Sequence, residues 1–195
     1  MERDRRPPQR PLSAPPLQRR PQRPQRQELQ LHRFLGGQRR PTAVWDVSQG
    51  TLKARRVTSR KSVEPVTQHL LDQPATDPPV TKMRIVCDAF KWDINIHIPP
   101  RHRERFVSIR VVLDFIYGTL HEPLIPEDWR DICPTDRRKI YKTMLGRLAQ
   151  SPPSMNADGC VLRIDCLLDR TVFLGLRPGG PSPDEWILSL GPPRR

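Results

Sequence analysis

Apolar and polar residues begin to alternate regularly at Met83, and the alternation predicts two strands. Over residues 83–88 every second residue is apolar, and over 93–98 the isoleucines Ile94, Ile96 and Ile98 are separated by polar side chains. A period of two is that of a strand with one buried face. With a turn at Ala89–Lys91 between them, the two strands form a predicted hairpin.

The apolar period then becomes that of helices. Ser108 is a suitable N-cap for a helix whose apolar face is formed by Ile109, Val112, Leu113, Ile116, Tyr117 and Leu120. Pro126 suits the first turn of a short helix that buries Trp129 and Ile132. Thr135 is predicted to cap a third helix. Its inward residues are Ile140, Met144, Leu145 and Leu148, and its outward basic row consists of Arg137, Arg138, Lys139, Lys142 and Arg147.

Strand character returns after the third helix. Leu162, Ile164, Cys166 and Leu168 alternate with polar residues, which predicts a strand with Asp165 on its wet face. Two further strands are predicted at Thr171–Leu176 and Trp186–Leu190. The helices are clustered and do not alternate with the strands. This order predicts an α+β fold, a small antiparallel sheet with about three helices packed on one face.

Two segments of different composition precede this domain, predicted at residues 83–191. Residues 1–40 hold 11 Arg, seven Pro and three acidic residues, which predicts a disordered basic tail. A mitochondrial transit peptide is also Arg-rich, but the prolines oppose the amphipathic helix that it needs. Residues 41–82 are interpreted as an extended arm that docks on the domain through Trp45, Leu70 and Leu71.

Three segments carry a resemblance to a known family. They are Gln-Pro-Ala-Thr-Asp-Pro-Pro at residues 73–79, the helix residues Val112-Leu113 and Ile116-Tyr117, and Arg-Thr-Val-Phe-Leu-Gly-Leu at residues 170–176. The chain from Trp45 to the last strand resembles a family of uncharacterised domains abundant in mushroom-forming fungi. That family often has Asp directly before the Val-Leu pair, where this chain has Val111. The resemblance implies a fold and a lineage but no activity.

The sequence offers no recognisable catalytic, cofactor or metal motif. Asp165, Asp169 and Arg170 are interpreted as a strand face and a turn, and Cys166 as a small core residue. His97 lies on a polar strand face and is not at metal-ligand spacing from His102. No signal peptide, membrane span or CxxC pair is found, so we expect no membrane association and an intracellular location, either cytoplasmic or nuclear.

Two functions therefore remain as hypotheses, and an enzyme with an unrecognised site is a third, weaker one. The first is a non-enzymatic domain that binds an unknown protein partner. The second is non-specific nucleic-acid binding by the tail, in which arginine forks contact phosphates. The predicted contacts are Arg5, Arg6, Arg10, Arg19, Arg20, Arg23 and Arg26. The basic row of the third helix is interpreted as a solvated face offset by Glu127, Asp128, Asp131 and Asp136.

Overall fold

A computed structural model of the chain describes residues 29–36, 42–59, 62–100, 105–150, 159–179, 182 and 184–193. The strands are β1 Gln30–Leu31, β2 Ala43–Val44, β3 Arg55–Ser59, β4 Ser62–Pro65, β5 Thr76–Asp77, β6 Lys82–Cys87, β7 Phe90–His97, β8 Val172–Pro178 and β9 Glu185–Gly191. The helices are α1 Gln68–Leu71, α2 Ile109–Leu120, α3 Pro126–Asp131 and α4 Pro134–Gln150. Short 3-10 helices lie at Thr51–Lys53 and Arg163–Leu167. This mixture of helices and small sheets is consistent with the predicted α+β class.

The main sheet has the strand order β7-β6-β9-β8. The predicted hairpin is confirmed, because β6 and β7 pair antiparallel and bury Ile94, Ile96 and Ile98. The prediction of a wholly antiparallel sheet is wrong, since β6 and β9 pair parallel, with Ile85 opposite Trp186. A local apolar pattern fixes the direction of strands joined by a tight turn. It does not fix the direction of β9 relative to β6, because α2, α3 and α4 lie between these strands in the sequence.

Helix α2 covers this sheet and begins as predicted. The Ser108 Oγ accepts a hydrogen bond from the Val111 N–H at 3.3 Å, which caps the helix. Its apolar face is buried and packs against β7. The serine hydroxyl thus satisfies one of the N–H groups that the first turn of α2 leaves without a helical partner.

Residues 29–36 correct the predicted boundary of the tail, which the sequence places at residue 40. Strand β1 pairs antiparallel with β5, and Phe34 and Leu35 are buried in the core. The Leu35 carbonyl also accepts from the Leu176 N–H at 2.7 Å. The apolar residues that interrupt the Arg/Pro pattern therefore belong to the folded part, because burying them offsets the entropy of ordering that segment.

The segment predicted as an arm forms a second sheet of order β2-β3-β4. Trp45 follows β2, is 1% exposed, and lies with its ring centroid 5.9 Å from that of Phe173 on β8. The Phe173 N–H donates to the Trp45 carbonyl at 2.8 Å. Residues 42–59 and 62–82 are thus continuous with the hydrophobic core of the main sheet.

Several local predictions for the second half of the chain are wrong. Thr135, predicted to cap the third helix, lies inside α4, which begins at Pro134. Residues Arg163–Leu167 form a 3-10 helix and no strand, and Asp165, predicted on a wet face, is 1% exposed. Leu145, predicted to point inward from α4, is 54% exposed, although Ile140 and Met144 are buried as predicted. The apolar stripe of α4 is narrow because this helix packs mainly on the 3-10 helix and not across the sheet.

Candidate functional site

A buried carboxylate fixes the corner between β7, α3 and α4. Asp128 is 6% exposed and accepts hydrogen bonds from the Trp92 Nε1 at 2.8 Å and the Lys91 Nζ at 3.1 Å. Lys91 also bridges to Asp131, at the end of α3. Asp128 lies in the first turn of α3, where the helix dipole favours a negative charge. The contact between β7 and α3 therefore depends on the buried Asp128, which the hydrophobic periodicity of the sequence does not reveal.

Arg137 joins α3 to α4. Its Nε and Nη2 donate to the carbonyls of Ile132 at 3.0 Å and Arg130 at 3.2 Å. Its guanidinium carbon lies 5.6 Å from the centroid of the Trp129 ring, a cation–π geometry. These contacts satisfy carbonyls at the end of α3 and hold the Trp129 ring beside α4.

An apolar and basic groove runs along the outer face of α4, and we call it the α4 surface. It encloses about 430 Å³ and is lined by Trp129, Arg137, Arg138, Tyr141, Lys142 and Leu145. Tyr141 is 52% exposed and Leu145 is 54% exposed. Exposed aromatic and aliphatic side chains in one patch, rimmed by charges, are typical of a protein-binding surface.

Three of the four acids predicted to offset this basic row pair with cations outside it, and Asp136 pairs with a member of the row. Glu127 pairs with Arg130 at 2.8 Å, Asp136 pairs with Lys139 at 2.9 Å, and Asp128 and Asp131 pair with Lys91. Within the described part of the chain, no ion pair involves Arg138 or Lys142. Arg138 and Lys142 of the α4 surface therefore carry positive charge without an ion pair among the described residues, which corrects the interpretation for these two, whereas Lys139 is offset by Asp136 as predicted.

A buried ion pair supports the opposite side of α4. Arg147 donates to both carboxylate oxygens of Asp165, at 2.9 and 2.8 Å, and to the Cys160 carbonyl at 2.9 Å. Asp165 also accepts from the Leu162 N–H at 2.9 Å. Hydrogen bonding to Asp165 raises the pKa of Arg147. Arg147, predicted to point outward, instead anchors α4 to the 3-10 helix and leaves the α4 surface facing solvent.

A second groove, the hairpin groove, lies between the β6–β7 turn and the start of α4. It encloses about 500 Å³, and its lining includes Phe90, Trp92, Cys133 and Cys166. Hydrogen bonding to the side chain and backbone of Thr135 lowers the pKa of the exposed Cys133 thiol. Burial raises the pKa of Cys166 to about 11, and this thiol is half-buried, where the sequence predicts a core residue. The groove thus holds two thiols whose pKa values are shifted in opposite directions, and the thiol of Cys133 is the more easily ionised of the two.

The structure describes some of the residues singled out from the sequence and not others. Trp45, Leu70 and Leu71 are all buried in the core. The seven predicted nucleic-acid contacts, from Arg5 to Arg26, lie outside the described residues. The exposed pair Tyr141 and Leu145 was missed because Leu145 fits the apolar helical period of α4 as well as the buried residues do.

The described residues contain no group of three or more His, Cys, Asp or Glu side chains placed to hold a metal ion. Among the same residues, no helix has both the length and the apolar composition needed to cross a membrane.

Comparisons with known proteins place the chain among uncharacterised relatives. The model of a family of unknown function, DUF6699, matches residues 43–185, which span both the predicted arm and the predicted core domain. A stretch of 90 residues, 42% of the chain, is 34% identical to the DNA mismatch repair protein MutL of Pseudomonas entomophila (strain L48). The match spans only 14% of that protein. No solved structure matches the chain.

Proposed function

The chain belongs to the family of unknown function DUF6699, and we propose that its folded domain is a non-enzymatic protein-interaction module. The α4 surface is the binding site in this proposal. Its partner is an acidic protein segment that presents one or more apolar side chains. The proposal rests on one observation, the exposed pair Tyr141 and Leu145 beside cations that have no ion-pair partner among the described residues.

The rigidity of the α4 surface supports this assignment. Arg137 holds Trp129 against α4, and the Arg147–Asp165 pair fixes the underside of the same helix. A preformed surface loses less conformational entropy on binding than a mobile one does. Interface anchors are enriched in Trp, Tyr and Arg, and all three residue types are present here.

The charge of the α4 surface determines the chemistry of the partner. Arg138 and Lys142 flank the apolar pair and attract carboxylates, which increases the association rate and rejects basic partners. The apolar pair supplies affinity by burial, at about 25 cal/mol per Å² of apolar area removed from water. An acidic segment with an apolar anchor satisfies both requirements.

The test compares partners captured by the wild-type chain with those captured by a Tyr141→Ser/Leu145→Ser variant. Both side chains are more than half exposed, so we expect the variant to fold and to unfold at the same temperature as the wild type. Proteins that bind through the α4 surface should be retained by the wild type and lost by the variant. For a purified partner, we expect a loss of affinity of about thirtyfold or more, the effect of removing an interface anchor.

Leu52 supplies the matched control, because it is 85% exposed and lies away from the α4 surface. Leu52→Ser should retain every partner of the wild type. An Arg138→Glu/Lys142→Glu variant should weaken binding mainly through slower association. Identical sets of captured proteins for the wild type and the Tyr141/Leu145 variant would contradict the proposal.

Nucleic-acid binding by the tail is the second candidate. It is supported by the 11 Arg of residues 1–40, which exceed the acidic residues there by eight. Such binding should fall steeply with salt, with a log–log slope of about −0.9 per phosphate contacted on duplex DNA, and should be nearly indifferent to sequence. A salt titration of duplex binding by the full chain and by a chain starting at residue 29 tests it. Equal binding by the two chains would exclude the tail.

The finer features of the family resemblance remain predictions. These are the fungal distribution of the family and the significance of the segments at residues 73–79 and 170–176. The intracellular location, cytoplasmic or nuclear, which was inferred from the sequence patterns alone, is also still a prediction. The absence of a cofactor is likewise an expectation of the interaction model.

A further inference from the structure

The N-terminal segment, the second sheet and α1 together enclose a small pocket rich in cationic side chains, which we call the basic pocket. Its volume is about 280 Å³. The polar and charged residues at its wall are His32, Arg33, Thr42, Arg56, Thr67, His69 and Gln73. These residues come from four separate segments of the chain, so only the folded domain brings the cations together.

The two arginines of the basic pocket are not neutralised by the protein. None of the ion pairs formed by the described residues includes Arg33 or Arg56. Both line the same pocket as the half-buried His32. Burial lowers the pKa of His32, the hydrogen bond to Gln73 raises it, and the positive charges of Arg33 and Arg56 lower it further. The wall therefore concentrates positive charge around a neutral imidazole.

The hydrogen bonds of His32 fix its ring and tautomer. Its Nδ1 accepts from the Phe34 N–H at 3.2 Å, so the proton of the neutral ring lies on Nε2, which donates to the Gln73 Oε1 at 3.1 Å. Thr67 Oγ1 accepts from the Leu70 N–H at 3.3 Å, and its own proton remains available to a ligand. The wall thus offers hydrogen-bond donors and positive charge.

The strand register places one carboxylate close enough to Arg56 to neutralise its charge and so compete with a bound anion. Glu64 on β4 is paired with Arg56 on β3. Its Oε1 accepts from the Thr58 Oγ1 at 3.5 Å, and it forms no ion pair with Arg56. Arg56 is thus available to an external anion.

We propose that the basic pocket binds a phosphate monoester, with Arg33 and Arg56 as its charged ligands and the Thr67 hydroxyl as a further donor. The planar guanidinium fork matches the oxygen geometry of phosphate, and two arginines balance the two charges of a monoester dianion. The volume lies just below the usual range of small-molecule sites, which is about 300–1,000 Å³. It admits a phosphoryl group and a small part of its substituent.

This inference does not depend on the protein-interaction proposal. The basic pocket and the α4 surface share no lining residue. A variant with a changed α4 surface should keep its phosphate affinity, and a variant with a changed basic pocket should keep its protein partners. Failure of one proposal is therefore distinguishable from failure of the other.

The test titrates the full chain with inorganic phosphate, O-phosphothreonine and adenosine monophosphate at constant ionic strength, with chloride as the control anion. The readout is the proton NMR resonance of the His32 ring, because the tail arginines also attract phosphate and a local signal is needed. A bound dianion stabilises the imidazolium, so the pKa of His32 should rise on binding. The ring resonance of His97, on β7 outside the basic pocket, is the internal reference.

The three phosphate compounds distinguish the sources of the ligand. Similar affinity for all three supports a site that recognises the phosphoryl group alone. Preference for phosphothreonine supports a phosphorylated peptide, and preference for the nucleotide supports a small molecule. If the His32 resonance responds to no phosphate compound more than to chloride, the proposal is wrong.

Adjacent residues of β3 provide matched variants. Arg56 lines the basic pocket, whereas Arg55 does not, and both are exposed, so neither substitution should unfold the domain. Arg56→Gln should weaken binding about tenfold or more, the effect of losing a charged hydrogen bond, and Arg55→Gln should change it less than about twofold. Arg56→Lys keeps the positive charge and loses the guanidinium fork, so its affinity for phosphate should lie between those of the two glutamine variants. Equal effects of Arg55→Gln and Arg56→Gln would overturn the proposal, because they would indicate general charge attraction.

Discussion

Replacing Trp45 with alanine tests whether the N-terminal third of the described chain is an integral part of the core. The Trp45 ring is 1% exposed, packs at 5.9 Å from the Phe173 ring, and donates through its Nε1 to the Gln49 carbonyl at 2.9 Å. The backbone hydrogen bond from the Phe173 N–H to the Trp45 carbonyl does not depend on the side chain. The substitution therefore removes packing and one side-chain hydrogen bond.

The expected cost follows from these contacts. Truncating a buried Trp to Ala costs about 3–5 kcal/mol, which includes the cavity left behind. The Gln49 carbonyl adds little to this cost because Gln49 is exposed and water replaces its partner. A loss of about 4 kcal/mol is a large part of the roughly 5–15 kcal/mol that stabilises a typical domain. At about 2–4 °C per kcal/mol for a domain of this size, the melting temperature should fall by about 8–16 °C.

The assay is urea and thermal unfolding of the full chain followed by circular dichroism. Leu52→Ala is the control, because Leu52 is 85% exposed and its truncation should change the free energy of unfolding by less than about 0.5 kcal/mol. A loss below about 1 kcal/mol for Trp45→Ala would show that Trp45 is not an integral part of the core. It would mean that the segment carrying Trp45 separates from the main sheet without unfolding it.

Two further predictions concern buried charge and thiol reactivity. Arg147→Met should cost about 3–5 kcal/mol in urea unfolding because it leaves the buried Asp165 carboxylate without its cation, and adding Asp165→Leu should recover much of the loss. A double variant no more stable than the single one would contradict this. Iodoacetamide should alkylate Cys133 first and at a lower pH than Cys166, whose pKa is about 11, since the thiolate is the reactive form. Mass spectrometry that finds Cys166 modified first would show that this thiol order is wrong.

The parts of the fold that could be predicted, the β6–β7 hairpin and the start of α2, are determined by residues that lie close together in the sequence. Ile94, Ile96 and Ile98 alternate with polar residues because one face of β7 is buried, and Ser108 caps α2 because its hydroxyl replaces a missing backbone acceptor. Both features depend on neighbours only a few residues away. Hairpin and helix therefore follow directly from the pattern.

The incorrect predictions depend on contacts between distant residues. The period of two over residues 162–168 predicts a strand, but the segment turns into a 3-10 helix whose Asp165 is buried with Arg147, 18 residues earlier. Leu145 has the period of a core residue but is 54% exposed, because no element in the described part of the chain covers it. The parallel pairing of β6 and β9 joins strands almost 100 residues apart. Nothing local in the sequence encodes these partners.

The basic pocket was also beyond sequence reasoning. Arg33 belongs to a segment that its Arg/Pro-rich context assigns to the tail, and Arg56 lies in a basic stretch with no visible partner. Only the pairing of β1 with β5 and of β2 with β3 brings their segments to one pocket. The composition therefore showed that both segments are basic, but it did not show that Arg33 and Arg56 line one pocket.

The most direct test of the central claim, that the α4 surface binds an acidic protein segment, is site-specific photo-crosslinking. A benzophenone amino acid replaces Tyr141 in the full chain, and a second chain carries it at Leu52, which is more exposed than Tyr141 but lies outside the α4 surface. We expect the probe at Tyr141 to yield a discrete adduct that is absent from the Leu52 control. The crosslinked partner peptide should be rich in Asp and Glu, and Arg138→Glu/Lys142→Glu should remove the adduct. The same adducts at both positions, or an adduct unaffected by this charge reversal, would contradict this claim.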